Sequence, residues 1–244
     1  MKTIELGYGA GAIADYPWHL DGTHPWNFEE AERARECLRA LPELGIGMID
    51  TAWRYGGGES ETLVGQMLPL VELGGKKQFV VTKIPLGPVE QMQEKLAQSE
   101  GRLGRPPDAL LVHDPDLQDW VELPKACKWL CGQQRIPFVG LSSEPSDELV
   151  RWYDLHPFTA IEFPCSVWDW RAERMMAHWM RHRKMMRIAN RVLGGPMQSN
   201  RNLRRALGYI WDCREWVDVA LVGTTKEAHL RECAGIFREM GDAV

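Results

Sequence analysis

The sequence predicts an α/β fold, a parallel (β/α)8 barrel of the TIM type, with residues 1–244 forming one domain. Three observations carry that expectation. Short apolar runs alternate with helical patterns about eight times, the number of units that closes a parallel barrel. The apolar runs lack strict polar alternation, as strands do when helices cover them. Three consecutive runs end on an ionisable residue, Asp50, Lys83 and His113, and the carboxyl ends of parallel strands are where such folds place their chemistry. An open doubly wound sheet is the rival, but it rarely needs so many units and usually opens with a phosphate-binding glycine turn. The segment Leu6-Gly-Tyr-Gly-Ala-Gly11 lacks that spacing.

In chain order, a first strand is expected over Thr3–Leu6, then an irregular loop carrying Tyr16, Trp18, His24 and Trp26. Asn27 has the character of an N-cap, with Glu29 and Glu30 in the first turn of a helix that Gly45 stops. The remaining pairs are strand Met48–Asp50 with helix Ser60–Leu73, Phe79–Lys83 with Val89–Leu103, and Ala109–His113 with Trp120–Gln133. They continue as Phe138–Leu141 with Ser146–Leu155, Ala160–Phe163 with Arg171–Arg181, Met186–Ala189 with Arg201–Glu215, and Val219–Val222 with Glu227–Glu239. Low-complexity segments and a domain-splitting linker are absent from the pattern.

Composition narrows the function. A formal charge of -5 argues against a nucleic-acid binder, whose domain is usually basic. Arg and Lys cluster over residues 171–191 and 201–205, which solvated helix faces explain more simply than a polyanion site. The six cysteines, Cys37, Cys127, Cys131, Cys165, Cys213 and Cys233, include no Cys-x-x-Cys pair, so a reduced, cytoplasmic protein without a metal site is expected. No apolar run approaches membrane-spanning length, and no partner beyond a small molecule is called for. The oligomeric state is left open.

The organising stretch is Ile49-Asp-Thr-Ala-Trp-Arg-Tyr-Gly-Gly-Gly-Glu-Ser-Glu61. An apolar run there ends on Asp50, and an unpaired carboxylate at the end of a buried strand is costly to desolvate. Taken singly, Asp50 serves as a cap, Tyr55 as packing, Lys83 as a snorkelling surface lysine and His113 as a structural histidine. Together they make a proton-handling set. A phenol with an ordinary pKa of about 10 is a poor acid, but an ammonium about 4 Å away favours phenolate by up to about 4 kcal/mol at an effective dielectric of about 20. That leads to the expectation of an acidified Tyr55, opposed by desolvation. Asp50 would hold Lys83 charged, Tyr55 would exchange a proton with a carbonyl or alcohol oxygen, and His113 would orient that oxygen. A hydride donor is missing, and only a cofactor supplies one.

These residues resemble the aldo-keto reductase family along nearly the whole chain. Residues Gly45 to Glu61 look like its first signature, Val81-Thr82-Lys83 and Leu111-Val112-His113 like the strands bearing its lysine and histidine, and Val139-Gly140-Leu141-Ser142-Ser143 like the segment that holds the nicotinamide carboxamide. The resemblance implies carbonyl–alcohol interconversion with NADP, NAD being the alternative, and a catalytic set of Asp50, Tyr55, Lys83 and His113. It implies cofactor contacts from Gly9, Ser142, Ser143, Glu162, Arg191, Thr224, Thr225, Lys226 and His229. Several positions depart from the family pattern. Ser143 replaces a usual Asn, Glu162 a frequent Gln, and Asn190 and Arg191 stand where an aromatic often stacks on the ring. His229 and Cys233 stand where Arg and Asn commonly meet the adenine end.

The chain is also short around the expected substrate pocket. Tryptophans in βα loops, Trp18, Trp26, Trp53 and Trp168 above all, are expected to line an open aromatic pocket. Such a pocket suits an aromatic aldehyde or the apolar face of a sugar, and the His-Asp-Pro-Asp run at 113–116 is similar to that of sugar dehydrogenases in the family. Two other readings stand beside the oxidoreductase: a nucleotide-binding sensor or regulatory subunit with little turnover, and a non-redox enzyme using the same tetrad.

Overall fold

The computed structural model describes residues 4–11, 28–175, 185–194 and 202–242. Its eight strands are β1 (Glu5–Gly9), β2 (Met48–Asp50), β3 (Phe79–Pro85), β4 (Ala109–His113), β5 (Phe138–Ser142), β6 (Ala160–Pro164), β7 (Met186–Asn190) and β8 (Val219–Val222). They pair in parallel and in chain order, and β8 returns to β1 to close the barrel. The described helices are α1 (Phe28–Leu44), α2 (Glu59–Val71), α3 (Val89–Leu103), α4 (Glu122–Cys131), α5 (Asp147–Leu155), α6 (Leu203–Asp212) and α7 (Glu227–Asp242). Among the described residues no helix is long and apolar enough to cross a membrane.

Two apolar clusters follow from the period-two alternation of a strand. The larger lies between the strands and the helices that cover them. The smaller fills the barrel itself with Met48, Val81, Ala109, Leu111, Ala160, Ile188, Val219 and Leu221. Two residues further along each strand, the same inward face carries Asp50, Lys83, His113, Glu162 and Asn190. The barrel is therefore apolar in its lower layers and polar in its top layer, so the chemistry sits on a packed floor.

Most expected elements are present, and the departures have local causes. The first strand extends through Gly9, beyond the expected end at Leu6. Gly7 faces the interior, where a Cβ would come within 2.7 Å of Leu221 Cδ2, so a glycine just past the expected strand end is what the narrow barrel needs there. The helix expected from Trp120 starts at Glu122, because the Asp119 carboxylate accepts from the Val121 and Glu122 amides at 3.0 and 2.9 Å. Ser146 caps α5 as its position suggests, accepting from Leu149 N at 3.1 Å. Of the helix expected over 171–181, a 3₁₀ turn, Arg171–Met175, falls within the described residues. Asn27, Trp18 and Trp26 lie outside the described residues.

Candidate active site

At the carboxyl ends of β2 and β3, the Lys83 ammonium meets both oxygens of Asp50, at 2.5 and 2.6 Å, and donates to Thr51 O at 3.1 Å. Both side chains are buried. A third group completes the cluster: Glu162 on β6 lies with Oε2 3.3 Å from Lys83 Nζ. Its other oxygen accepts from Asn190 Nδ2 on β7 at 2.8 Å. Lys83 also stands 5.3 Å from the centre of the Tyr55 ring. His113 on β4 meets that ring edge-on, centroids 5.7 Å apart. The structure thus brings Asp50, Tyr55, Lys83 and His113 together and adds Glu162 to them.

The turn that carries Tyr55 is braced from below. Tyr55 opens a 3₁₀ turn, Tyr55–Gly58, whose three glycines all take positive φ. Gly58, at φ 102, lies so close to the Arg102 guanidinium that a Cβ would overlap it. Arg102 is held there by Glu61 Oε2 at 3.0 Å, and Glu61 Oε1 accepts from Thr82 at 2.6 Å. Ser60 pairs with Thr51 at 2.8 Å and donates to Ala10 O at 3.2 Å. The acidic end of the signature, read from sequence only as the start of a helix, is a buried clamp that ties the turn to β1, β2 and β3. Gly11 leaves room for the Tyr55 ring, whose atoms would stand 3.1–3.5 Å from any Cβ placed there.

Electrostatics correct one expectation. Tyr55 is pushed above the ordinary phenol range, because burial and the charges of Asp50, Glu162 and Asp114 together outweigh Lys83. The ammonium alone would favour phenolate, as expected from the sequence, but burial is the larger effect and the two carboxyl groups of Asp50 and Glu162 add to it. For Lys83, burial works against the charge, but Asp50 and Glu162 more than offset it and hold the amine protonated. Burial and the neighbouring Glu162 push Asp50 up against the pull of Lys83. Burial also disfavours the Glu162 carboxylate, but Lys83 and the Asn190 amide pull it below its usual range. The two carboxyl groups share one ammonium, so their protons belong to the pair. His113 falls to about 4 through burial and then the positive charges of Lys83, Arg54 and Arg191, so its imidazole is neutral at ordinary pH.

The remaining predicted positions divide. Ser142 and Ser143 are buried at the end of β5, beside Glu162: Ser142 pairs with it in the β5–β6 register, and Ser143 N donates to its carbonyl at 3.1 Å. Arg191 follows β7 at φ 51 and pairs with Glu144 at 2.7 Å, and Asp114 after β4 has φ 42. Left-handed backbone at non-glycine residues, here at two positions on the rim, clusters at functional loops. Across the rim, Gly9 faces the Gly223 backbone, with 3.8 Å from its would-be Cβ. Thr224 is buried and fixed: its carbonyl accepts from the Tyr8 hydroxyl at 2.8 Å, and its hydroxyl accepts from Lys226 N at 3.1 Å. Thr225 is half-buried and Lys226 exposed at the start of α7. His229 lines a groove of about 820 Å³ between α6 and α7, with Asn202, Arg204, Glu232 and Glu239.

Trp53 makes its described contacts with α3. Its indole donates to Gln98 Oε1 at 2.8 Å and lies 5.7 Å from both Lys95 Nζ and Arg102 Cζ, so it packs over α3. Trp168 sits half-buried in a short turn after β6, where its amide donates to Ser166 Oγ at 3.3 Å. Asn190, noted in the sequence only as a departure, proves to be the residue that holds Glu162.

Comparison with known proteins gives the family and agrees with the fold. Aldo-keto reductase YhdN of Bacillus subtilis is 26% identical over 197 residues, which cover 74% of this chain and 58% of YhdN. The chain thus spans less than two thirds of that relative. An aldo-keto reductase from Bacillus halodurans superposes with a TM-score of 0.75 at 15% identity, covering 97% of this chain and 87% of that one. One from Klebsiella pneumoniae, in complex with NADPH, gives 0.73 at 18%, covering 97% and 89%. At those identities the structures speak for the fold. The model of the Aldo/keto reductase family matches residues 5–208, from β1 into α6, and so takes in every strand that contributes to the polar layer; the chain belongs to that family.

Proposed function

We propose that the protein is a nicotinamide-dependent oxidoreductase that interconverts a carbonyl and an alcohol, with Tyr55 as general acid–base. One observation carries this reading: a fully buried Asp50–Lys83 ion pair, 2.5 Å at its closest, stands beside a phenol ring that His113 also meets edge-on. Buried charges of this kind are expensive and are kept for chemistry more often than for stability.

The rim fits a nicotinamide nucleotide. Among the described residues, Glu162 Oε2, Asn190 Oδ1 and His113 Nδ1 are buried without a hydrogen-bond partner. A carboxamide brings two N–H donors for two such acceptors, while Ser142 and Ser143 supply hydroxyl donors for its oxygen. Gly9, Thr224, Thr225 and Lys226 would meet the phosphates, Arg191 and His229 the rest of the nucleotide, and the NADPH complex of the K. pneumoniae relative favours NADP over NAD. When bound, the nicotinamide supplies the hydride. Everything else falls to the chain. Asp50 keeps Lys83 charged and in place. Tyr55, a neutral phenol at ordinary pH, donates its proton to the carbonyl oxygen, and Lys83 stabilises the phenolate left behind. Neutral His113 donates a hydrogen bond to the same oxygen and so fixes which carbonyl face is presented.

The test is Tyr55→Phe assayed over a panel of aldehydes, ketones, aldoses and alcohols. Loss of turnover by about 10²–10⁴-fold, the usual worth of a positioned acid, with nucleotide affinity unchanged, is the expected result. Full turnover by the variant would refute the assignment. Nucleotide binding without turnover on any substrate by the unmodified protein would instead favour the regulatory role.

A further inference from the structure

We infer that Glu162 makes this site select the oxidised, pyridinium form of the nicotinamide cofactor over the reduced form. The inference rests on the nicotinamide-binding reading above and adds a preference that a neutral residue at this position would not create. Glu162 is 1% exposed, and one of its oxygens is without a hydrogen bond among the described residues although it lies 3.3 Å from Lys83. Its other oxygen is anchored by Asn190, so the free oxygen cannot turn away without breaking a 2.8 Å bond.

The surrounding charges leave a cation wanted here. Asp50 takes both short contacts of Lys83, at 2.5 and 2.6 Å, so that ammonium is already matched before Glu162 is counted. Two carboxyl groups share this one ammonium, and burial together with Glu162 pushes Asp50 up because their second negative charge is costly here, so the cluster favours uptake of a proton or of another cation. His113 adds no positive charge at ordinary pH, since it is held neutral to about pH 4. Arg191 is paired with Glu144 at 2.7 Å, and Arg54 is exposed to solvent. Reduced nicotinamide is neutral and leaves the imbalance standing. The oxidised ring carries one positive charge and cancels it in a site where solvent screens little.

Separate calorimetric titrations of the full chain with NADP⁺ and NADPH test this. The two share the adenosine, phosphates and carboxamide, so their affinity ratio isolates the ring charge. NADP⁺ is expected to bind about tenfold more tightly, equivalent to about 1.4 kcal/mol. Glu162→Gln should bring the ratio close to one, and Glu162→Asp, which keeps the charge, should preserve the preference. Adenosine 2′,5′-bisphosphate, which lacks the ring, should bind all three proteins equally and so reports that the variants are folded. NADPH binding as tightly as NADP⁺ to the unmodified protein overturns the inference while leaving the nicotinamide reading intact. A ratio unchanged in Glu162→Gln does the same. Binding of neither nucleotide overturns both.

Discussion

Replacing Lys83 by Met removes the one cation from a cluster that holds two buried carboxyl groups, and the structure sets the size of the consequence. At an effective dielectric of about 20, the 2.6 Å contact with Asp50 corresponds to about 6 kcal/mol of attraction and the 3.3 Å approach of Glu162 to about 5 kcal/mol. Both gains are reduced by the desolvation already spent in burying the three groups, so the expected net loss is the about 3–5 kcal/mol typical of breaking a buried pair. The loss should depend on pH with a definite sign. Without Lys83 nothing opposes the burial and mutual repulsion that push Asp50 up, so the folded variant binds protons that the unfolded chain releases. Stability then falls as pH rises above the ordinary carboxyl range. Urea unfolding of Lys83→Met and of Lys83→Met with Asp50→Asn, at pH 5 and pH 8, measures both effects. The single variant should be the less stable at pH 8 and recover part of the difference at pH 5, and the double variant should lose most of the pH dependence. A single variant within about 1 kcal/mol of the unmodified protein at pH 8, or equally affected at both pH values, would show that the cluster is not charged as described.

His113 gives a second prediction. Held down to about 4 by burial and neighbouring cations, it should leave no break near pH 6.5 in the pH profile of kcat/KM; because the unfolded chain takes up its proton first, its contribution to stability is lost as pH falls from about 6.5 toward 4. Gly58→Ala puts a Cβ at φ 102 against Arg102 and should cost about 1–3 kcal/mol, read as a lower urea midpoint. An unchanged midpoint would mean that the turn relaxes freely. Trp53→Phe removes the bond to Gln98 and should cost about 1 kcal/mol while leaving KM for the carbonyl substrate unchanged, since the indole faces α3. A severalfold rise in KM would place Trp53 in the substrate pocket.

What could be read from the sequence was whatever depends on neighbours along the chain. Asp50 and His113 end their strands and Lys83 lies two residues before the end of β3; the inward residues two positions earlier, Met48, Val81 and Leu111, are apolar, and that change of polarity within one strand is visible in the letters. The helix starts at Ser146 and Val89 were visible for the same reason, since caps and turns are local. The parts that could not be read depend on closure. Gly7 reads as a breaker until β8 returns to place Leu221 beside it. The direction in which Tyr55 is shifted is set first by burial, which the closed barrel completes, and then by Asp50 beside it on β2 and Glu162 on β6, strands that closure alone brings together. Counting one ammonium beside one phenol therefore gave the wrong sign. A barrel rim sums charges from strands far apart in the chain, so its proton chemistry belongs to the ring as a whole. Substitution of any one rim residue should consequently shift the titration of groups on strands it does not adjoin.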